Sequence, residues 1–541
     1  FMDEDNRNCN PVACPYAKGH FDRINEAVYS LLTEETLVDR EKIWQWARRF
    51  QVCPFELSLD LSTWLDAVVC DYNYCFDPDV ALKRFFADSI SGDYIFLIDE
   101  AHNLVSRARE MYSASLGEED LSAGVKAVLS FPKVGRVLRR VRREFSALSG
   151  EAWQRELFCP IEVPPALAIN MLGLQVEMEA VMADPPREGV PDEFMDFYFL
   201  VRSFNQVMDH LGADYLTYLT REGGNRLYLS CMDPSTNLAA RLGKGRSAIF
   251  FSATLLPLPF YRRLLSKRDD DFGLVLSSPF PRENRLLLLG GDVSTRYRER
   301  GYEQYQKIAR YLAMTTWQRP GNYIAFFPSY RMLQDVYEVY EQEFSQPWVE
   351  VLLQTPSMGE EEREEFLKAF ESEEEEKKAD REDKNGIDDG EKGNEEGKEI
   401  EEIEEKAREG EGRKKRKTLL AFAIMGGIFS EGIDFLGERL IGVFVVGLGL
   451  PQVGSQTEAL RYFFDQRRED GYAYAYRYPA MNKVLQAAGR VIRTKEDKGV
   501  ILLLDERFLQ SDNKALLPRE WDNYEVVTID SVSDKIRKFY S

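Results

Sequence analysis

"YIFLIDEAHNL", residues 94–104, is an apolar run that closes on Asp99, Glu100, Ala101 and His102. Its first half reads as a buried strand. Two carboxylates just past such a strand suit a phosphate-transfer site, where one holds magnesium, directly or through water, and its neighbour orients and deprotonates the attacking water. "DEAH" alone reads equally as a helix N-terminus whose acidic side chains complement the dipole. Its surroundings have to decide.

The second half of the chain alternates. "NYIAFF" (322–327), "WVEVLL" (348–353), "LLAFAI" (419–424), "LIGVFVV" (440–446) and "GVILLL" (499–504) are short β-branched or aromatic runs, with segments of helical length between several of them. That pattern predicts a parallel sheet with crossover helices. "YIFLID" (94–99) and "SAIFFSAT" (247–254) read the same way, as late strands of an earlier α/β unit. Since open α/β sheets do their chemistry beyond the carboxyl ends of the strands, Asp99, Ser252 and Gly432 all fall in the right place. Between those two early strands, 105–215 is mostly helical in pattern and looks like an inserted subdomain. Within it "VGRVLRRVRREFSAL" puts Arg136, Arg139, Arg140 and Arg143 on one helix side, a face for a nucleic-acid backbone or simply for water.

A chain of 541 residues, 44% hydrophobic, is long enough for two or more globular domains. The longest apolar run, "LIGVFVVGLGL" (440–450), falls short of the roughly 20 residues that span a bilayer, and nothing resembles an export signal. A cytoplasmic protein with no membrane partner is expected. The formal charge of −22 argues against coating polyanions through a global field, without excluding a local basic groove. Much of the acidity sits in 371–417, where 20 Asp or Glu face 13 Lys or Arg. That tract reads as a disordered insertion in a surface loop.

Three further motifs follow the acidic pair. "FSATL" ends a strand with the hydroxyls of Ser252 and Thr254, able to couple a nucleotide site to a bound strand. "GGIFSEGIDF" (426–435) is a glycine-rich loop in which Gly432 allows close backbone approach and Asp434 accepts from a ribose, an arginine or an amide. "QAAGRVIRT" places Gln486, Arg490 and Arg493 at i, i+4 and i+7 of a helix, two guanidiniums fit to grip the β and γ phosphates.

The ordered set "DEAH", "FSATL", "SSPFPREN", "GGIFSEGIDF" and "QAAGRVIRT" resembles the XPD/DinG-type iron-sulfur DNA helicases of superfamily 2. The resemblance implies an α/β protein with two RecA-like P-loop motor domains, ATP hydrolysed with Mg2+ at their interface, and 5'-to-3' translocation on single-stranded DNA to open forked duplex, in repair or replication. The expected division is an iron-sulfur region at 1–60, a first motor at 61–104 and 216–280, a helical arch-like insertion at 105–215, and a second motor at 281–541. Asp99, Glu100 and His102 then carry the chemistry with Gln486, Arg490 and Arg493, while Ser252, Thr254, Gly432 and Asp434 bind nucleotide. An RNA-directed DEAH ATPase is a rival reading, as is a helicase-like binding module without hydrolysis.

Cys9, Cys14 and Cys53 are separated by four and 38 residues, and the last two precede proline, a context of iron-sulfur ligands. They supply three thiolates where a [4Fe-4S] cluster takes four; a cysteine-rich zinc site is the alternative. The family places its cluster ahead of the DEAH strand, so the fourth cysteine is expected upstream of Phe1. Cys70, Cys75, Cys159 and Cys231 read as buried structural thiols. No G-x-x-x-x-G-K-[ST] loop occurs: "GNEEGK" (393–398) has the wrong spacing and "LGKGRSAIF" (242–250) fails too. With the family's loop lying before its cluster, the chain is expected to be a fragment lacking an N-terminal portion.

Overall fold

A computed structural model describes residues 14–87, 90–148, 157–186, 189–268, 270–371, 418–430 and 439–541. Two compact units share the chain: 1–96 with 240–248, and 97–239 with 249–541. Cys9, Gly432, Asp434 and nearly all of the acidic tract lie outside the described residues.

In the first unit, helices His20–Glu34, Arg40–Phe50 and Pro54–Ser62 enclose a small core of Ile24, Val28, Leu31, Trp46, Leu57 and Leu61. The middle helix starts where the Asp39 carboxylate accepts from Lys42 N–H at 2.9 Å. The third starts on Pro54, whose missing N–H would have had no helical partner anyway.

Strands β1 (Ile95–Ile98) and β6 (Ser247–Phe250) pair with each other. Arg246 N–H donates to the Tyr94 carbonyl in the first unit and Phe251 N–H to the Ile98 carbonyl in the second.

The second unit is built on seven parallel strands in the order β13-β7-β12-β11-β8-β10-β9. They are β7 (Arg285–Gly290), β8 (Asn322–Phe327), β9 (Val349–Leu353), β10 (Thr418–Ile424), β11 (Gly442–Val446), β12 (Gly499–Leu504) and β13 (Glu525–Val527). The side-chain period of two sends alternate residues into two separate cores. Leu288, Tyr323, Phe327, Phe422, Phe444 and Leu502 enter one; Leu289, Phe326, Ala421, Val443, Val445 and Leu503 enter the other. Helices cover both faces, which is why these strands are apolar throughout rather than alternating. The five expected strands stand within two residues of their reading. β7 and β13 are additions.

The stretch expected to be helical contains helices Glu118–Ala127, Pro132–Leu148, Pro165–Ala183 and Asp192–Asp209. It also contains β2 (Ala114–Gly117) and β3 (Cys159–Pro160), which join the hairpin β4 (Tyr215–Thr220) and β5 (Arg226–Cys231) in an antiparallel sheet ordered β2-β5-β4-β3. This small sheet is an addition to the mostly helical expectation. Leu219, Leu227 and Leu229 share one core with Val134, Leu138, Leu174 and Phe204 of the helices, so sheet and helices are a single packing unit. Arg136, Arg139, Arg140 and Arg143 are exposed, opposite buried Val134, Leu138, Val141 and Phe145. Helix Pro165–Ala183 is long and apolar enough to cross a membrane, yet it inserts Leu167, Met171, Leu174 and Met178 into this core.

Candidate active site

Asp99 and Glu100 follow β1 directly, and Ser252 and Thr254 follow β6, so strand pairing alone gathers four of the expected residues. Ala101 N–H donates to the Phe251 carbonyl and holds the two post-strand turns together. Glu100 takes a left-handed backbone with φ +43°, a conformation that costs an L residue about 1–2 kcal/mol. Its N–H donates to Asp99 Oδ1 at 2.7 Å, and both carboxylates are exposed at the turn.

His102 is the buried centre, 6% exposed. Its Nδ1 lies 2.7 Å from Ser252 Oγ, 3.2 Å from Thr254 Oγ1 and 3.2 Å from Glu100 Oε2. Ser252 Oγ donates to the same Glu100 oxygen at 3.0 Å and accepts from Thr254 N–H. On the other side, Gln486 Nε2 lies 2.6 Å from His102 Nε2. With the amide nitrogen donating there, the ring proton sits on Nδ1 and faces Glu100. One imidazole therefore connects the acidic turn, the "SAT" hydroxyls and the Tyr478–Ala488 helix. Hydrogen bonding from His102 holds the Glu100 carboxyl below the usual carboxylate range against the opposing effect of desolvation; the Ser252 hydroxyl and the charge of Arg490 act in the same direction as His102.

The arginines depart from expectation. The helix ends at Ala488 with Gly489 as its cap, so Gln486 is helical while Arg490 lies in the following turn and Arg493 in irregular chain beyond it. Asp497, buried and not singled out in the sequence, is the reason. Its carboxylate accepts from the backbone N–H of Arg493 and Thr494, each at 2.7 Å, and from the Thr494 hydroxyl. An Asp four residues past an Arg in "RTKED" was the available signal. Arg490 is 8% exposed, and its Nε donates to the Ser430 carbonyl at 3.1 Å. Ser430 belongs to the "GGIFS" loop, which leaves β10 through Gly426 at φ +72°, where a Cβ would meet Lys483 Cε at 2.9 Å. The structure thus brings Asp99, Glu100, His102, Ser252, Thr254 and Gln486 together, and joins Arg490 to the glycine-rich loop.

The cysteines divide into three groups. Cys14 and Cys53, in the first unit, are free and half-buried. His20, buried at the end of the Cys14 turn, accepts from Cys53 N–H at 3.2 Å through Nδ1 and ties their segments. No three His, Cys, Asp or Glu side chains converge on a common point among the described residues. Cys159 and Cys231 are buried as expected, burial pushing the Cys231 thiol up to about 12. Cys70 is exposed and Cys75 half-buried, against the expectation of structural burial. Cys70 lies in irregular chain ahead of the short helix Asn73–Phe76 and Cys75 within that helix, rather than near a strand end.

Two protein-family models match the chain, a helicase C-terminal domain at 312–524 and DEAD_2 at 2–121. The ATP-dependent DNA helicase chl1 of Neosartorya fischeri is 21% identical, over 93% of this chain and 62% of its own length. The general transcription and DNA repair factor IIH helicase subunit XPD of Schizosaccharomyces pombe is also 21% identical, over 90% of this chain and 68% of its own. Among solved structures, an XPD helicase superposes with TM-score 0.53 at 17% identity, covering 97% of this chain and 88% of that one. S. tokodaii Xpd4 gives TM-score 0.52 at 13% identity, covering 94% of this chain and all of that one. At such identities the structural likeness is one of fold.

Proposed function

Because the chain belongs to the XPD/DinG-type superfamily 2 helicases, whose two-motor α/β fold it shares, we propose that it works as an ATP-dependent DNA helicase, translocating 5' to 3' on single-stranded DNA and opening forked duplex. The observation that carries this reading is His102, held at Nδ1 by Glu100 and Ser252 and at Nε2 by Gln486. Such a link makes the state of the carboxylate sensible to the helix that leads into Arg490.

In this reading Glu100 removes a proton from water as its oxygen attacks the γ-phosphorus, and ADP departs with the electrons of the broken P–O bond. Asp99, exposed beside it, would hold Mg2+, which offsets phosphate charge when bound. Arg490 and Arg493 would stabilise the charge on the transferring phosphoryl group, with Gly432 and Asp434 completing the nucleotide contacts. Ser252 and Thr254 would relay hydrolysis toward the bound strand, held mainly by its backbone.

The test is ATP hydrolysis by the full-length gene product with and without single-stranded DNA, beside Glu100→Gln. DNA-stimulated turnover that falls about 10²–10⁴-fold in the variant supports the reading. A folded protein with no turnover sinks it. Forks carrying only a 5' or only a 3' tail decide the direction.

Cys14 and Cys53, free, half-buried and each followed by proline, fit a thiolate site, and with Cys9 they would supply three ligands of a [4Fe-4S] cluster. Such a cluster supplies a covalent brace to a unit whose own core is small. Iron bound by the purified protein, lost in Cys53→Ser together with thermal stability of this unit, is the expected result; bound zinc would overturn it.

A further inference from the structure

Outside the site, two thiols approach each other in the first unit, in the stretch "CDYNYC". Cys70 Sγ and Cys75 Sγ stand 3.9 Å apart, Cys70 exposed and Cys75 half-buried. A disulfide requires about 2.05 Å, so the two sulfurs have to close the remaining gap for the bond to form. The backbone holds the pair in register. Cys75 N–H donates to the Tyr72 carbonyl at 3.0 Å and Phe76 N–H to the same oxygen at 2.8 Å, while Phe76, 1% exposed, anchors the turn against Phe96. The arm that delivers Cys70 is free of the core, with Val68 and Val69 both exposed.

We propose that Cys70 and Cys75 are a reversible dithiol-disulfide site that reacts with small disulfides such as oxidised glutathione. The two thiols are unequal. Donation from Cys75 lowers the Cys70 thiol, and the same bond together with burial raises Cys75. Cys70 is therefore the attacking thiolate and Cys75 the resolving thiol. Cys70 attacks one sulfur of oxidised glutathione and expels the first glutathione as a thiolate. Cys75 then attacks Cys70 sulfur and expels the second. The internal S–S bond replaces the glutathione S–S bond, and the two cysteine protons end on two glutathione thiols.

The test exposes the native protein to oxidised glutathione at neutral pH, then alkylates it and maps its peptides by mass. The expected product is a Cys70–Cys75 cross-link, lighter by two hydrogens, reversed by dithiothreitol. In Cys75→Ser the reaction should stop at glutathione on Cys70. Independent glutathione adducts on both cysteines of the native protein, with no cross-link, would overturn the proposal. So would alkylation of both in full after the treatment.

Discussion

Glu100 has an exposed carboxylate on a left-handed backbone and donors that keep it ionised, which suit the general base proposed for it. Since its acidity is raised by His102 and Ser252, it stays a base at lower pH than an ordinary glutamate, and activity should persist to correspondingly low pH. Ser252→Ala removes one of the donors. The acidic limb of the ATPase pH profile is expected to move to higher pH, while the alkaline limb stays. A profile unchanged from wild type would mean that Ser252 does not act through Glu100. None of this is written in four letters "DEAH". The residue types and their place after a strand were readable because strand ends are where open sheets expose side chains; the positive φ and the His102–Gln486 contact arise only from tertiary packing.

Asp233 shows how elements next to the motifs are tied to one another. It is 4% exposed, and its Oδ2 meets Arg263 at 3.3 Å and Arg467 at 3.2 Å. Arg263 lies in helix Leu258–Ser266, which follows "FSATL", and Arg467 caps helix Ser455–Gln466. Arg263 continues to Glu469 and to Tyr474 Oη, and Arg467 to Asp214 at the foot of β4. Beside them half-buried Arg109 donates from Nε to the Met232 carbonyl and is pushed down to about 10 by desolvation. Asp233→Asn leaves these guanidiniums without their shared carboxylate. A loss of about 2–3 kcal/mol is expected, read from urea unfolding of the second unit. A loss below about 0.5 kcal/mol would show that solvent replaces the carboxylate. At this scale sequence reading does best where an element is buried on both faces. β8, β10, β11 and β12 were legible as unbroken apolar runs, whereas the leucines of β7 suit helix and strand alike and β13 has three residues. The inserted sheet was hidden because its strands are short beside long amphipathic helices. Reading "QAAGRVIRT" as one helix failed because Asp497 competes for backbone N–H groups beyond Gly489.

For the molecule as a whole, the acidic tract interrupts a sheet without interrupting its pairing. Thr418 lies opposite Val349 in the β10–β9 ladder, and its N–H donates to the Trp348 carbonyl. On the near side Phe366 and Phe370 are already committed to the core. Replacing 372–417 by a short Gly/Ser linker should leave the second unit folded. Its stability is expected to rise by about 1 kcal/mol, since the entropy cost of closing a connection falls by about 0.6 kcal/mol with each halving of its length. Thermal unfolding of the deletion variant is the measurement; a fall of several degrees would assign the tract a structural role.

The bond between His102 and Gln486 also bears on how the protein is made. Its partners are 384 positions apart in the chain. At roughly 5–20 residues per second, a ribosome takes about 20–80 s between adding one and the other. Throughout that interval the nascent chain carries its acidic turn without the helix that completes the imidazole's bonding. A polypeptide released before Gln486 is added would lack this connection entirely.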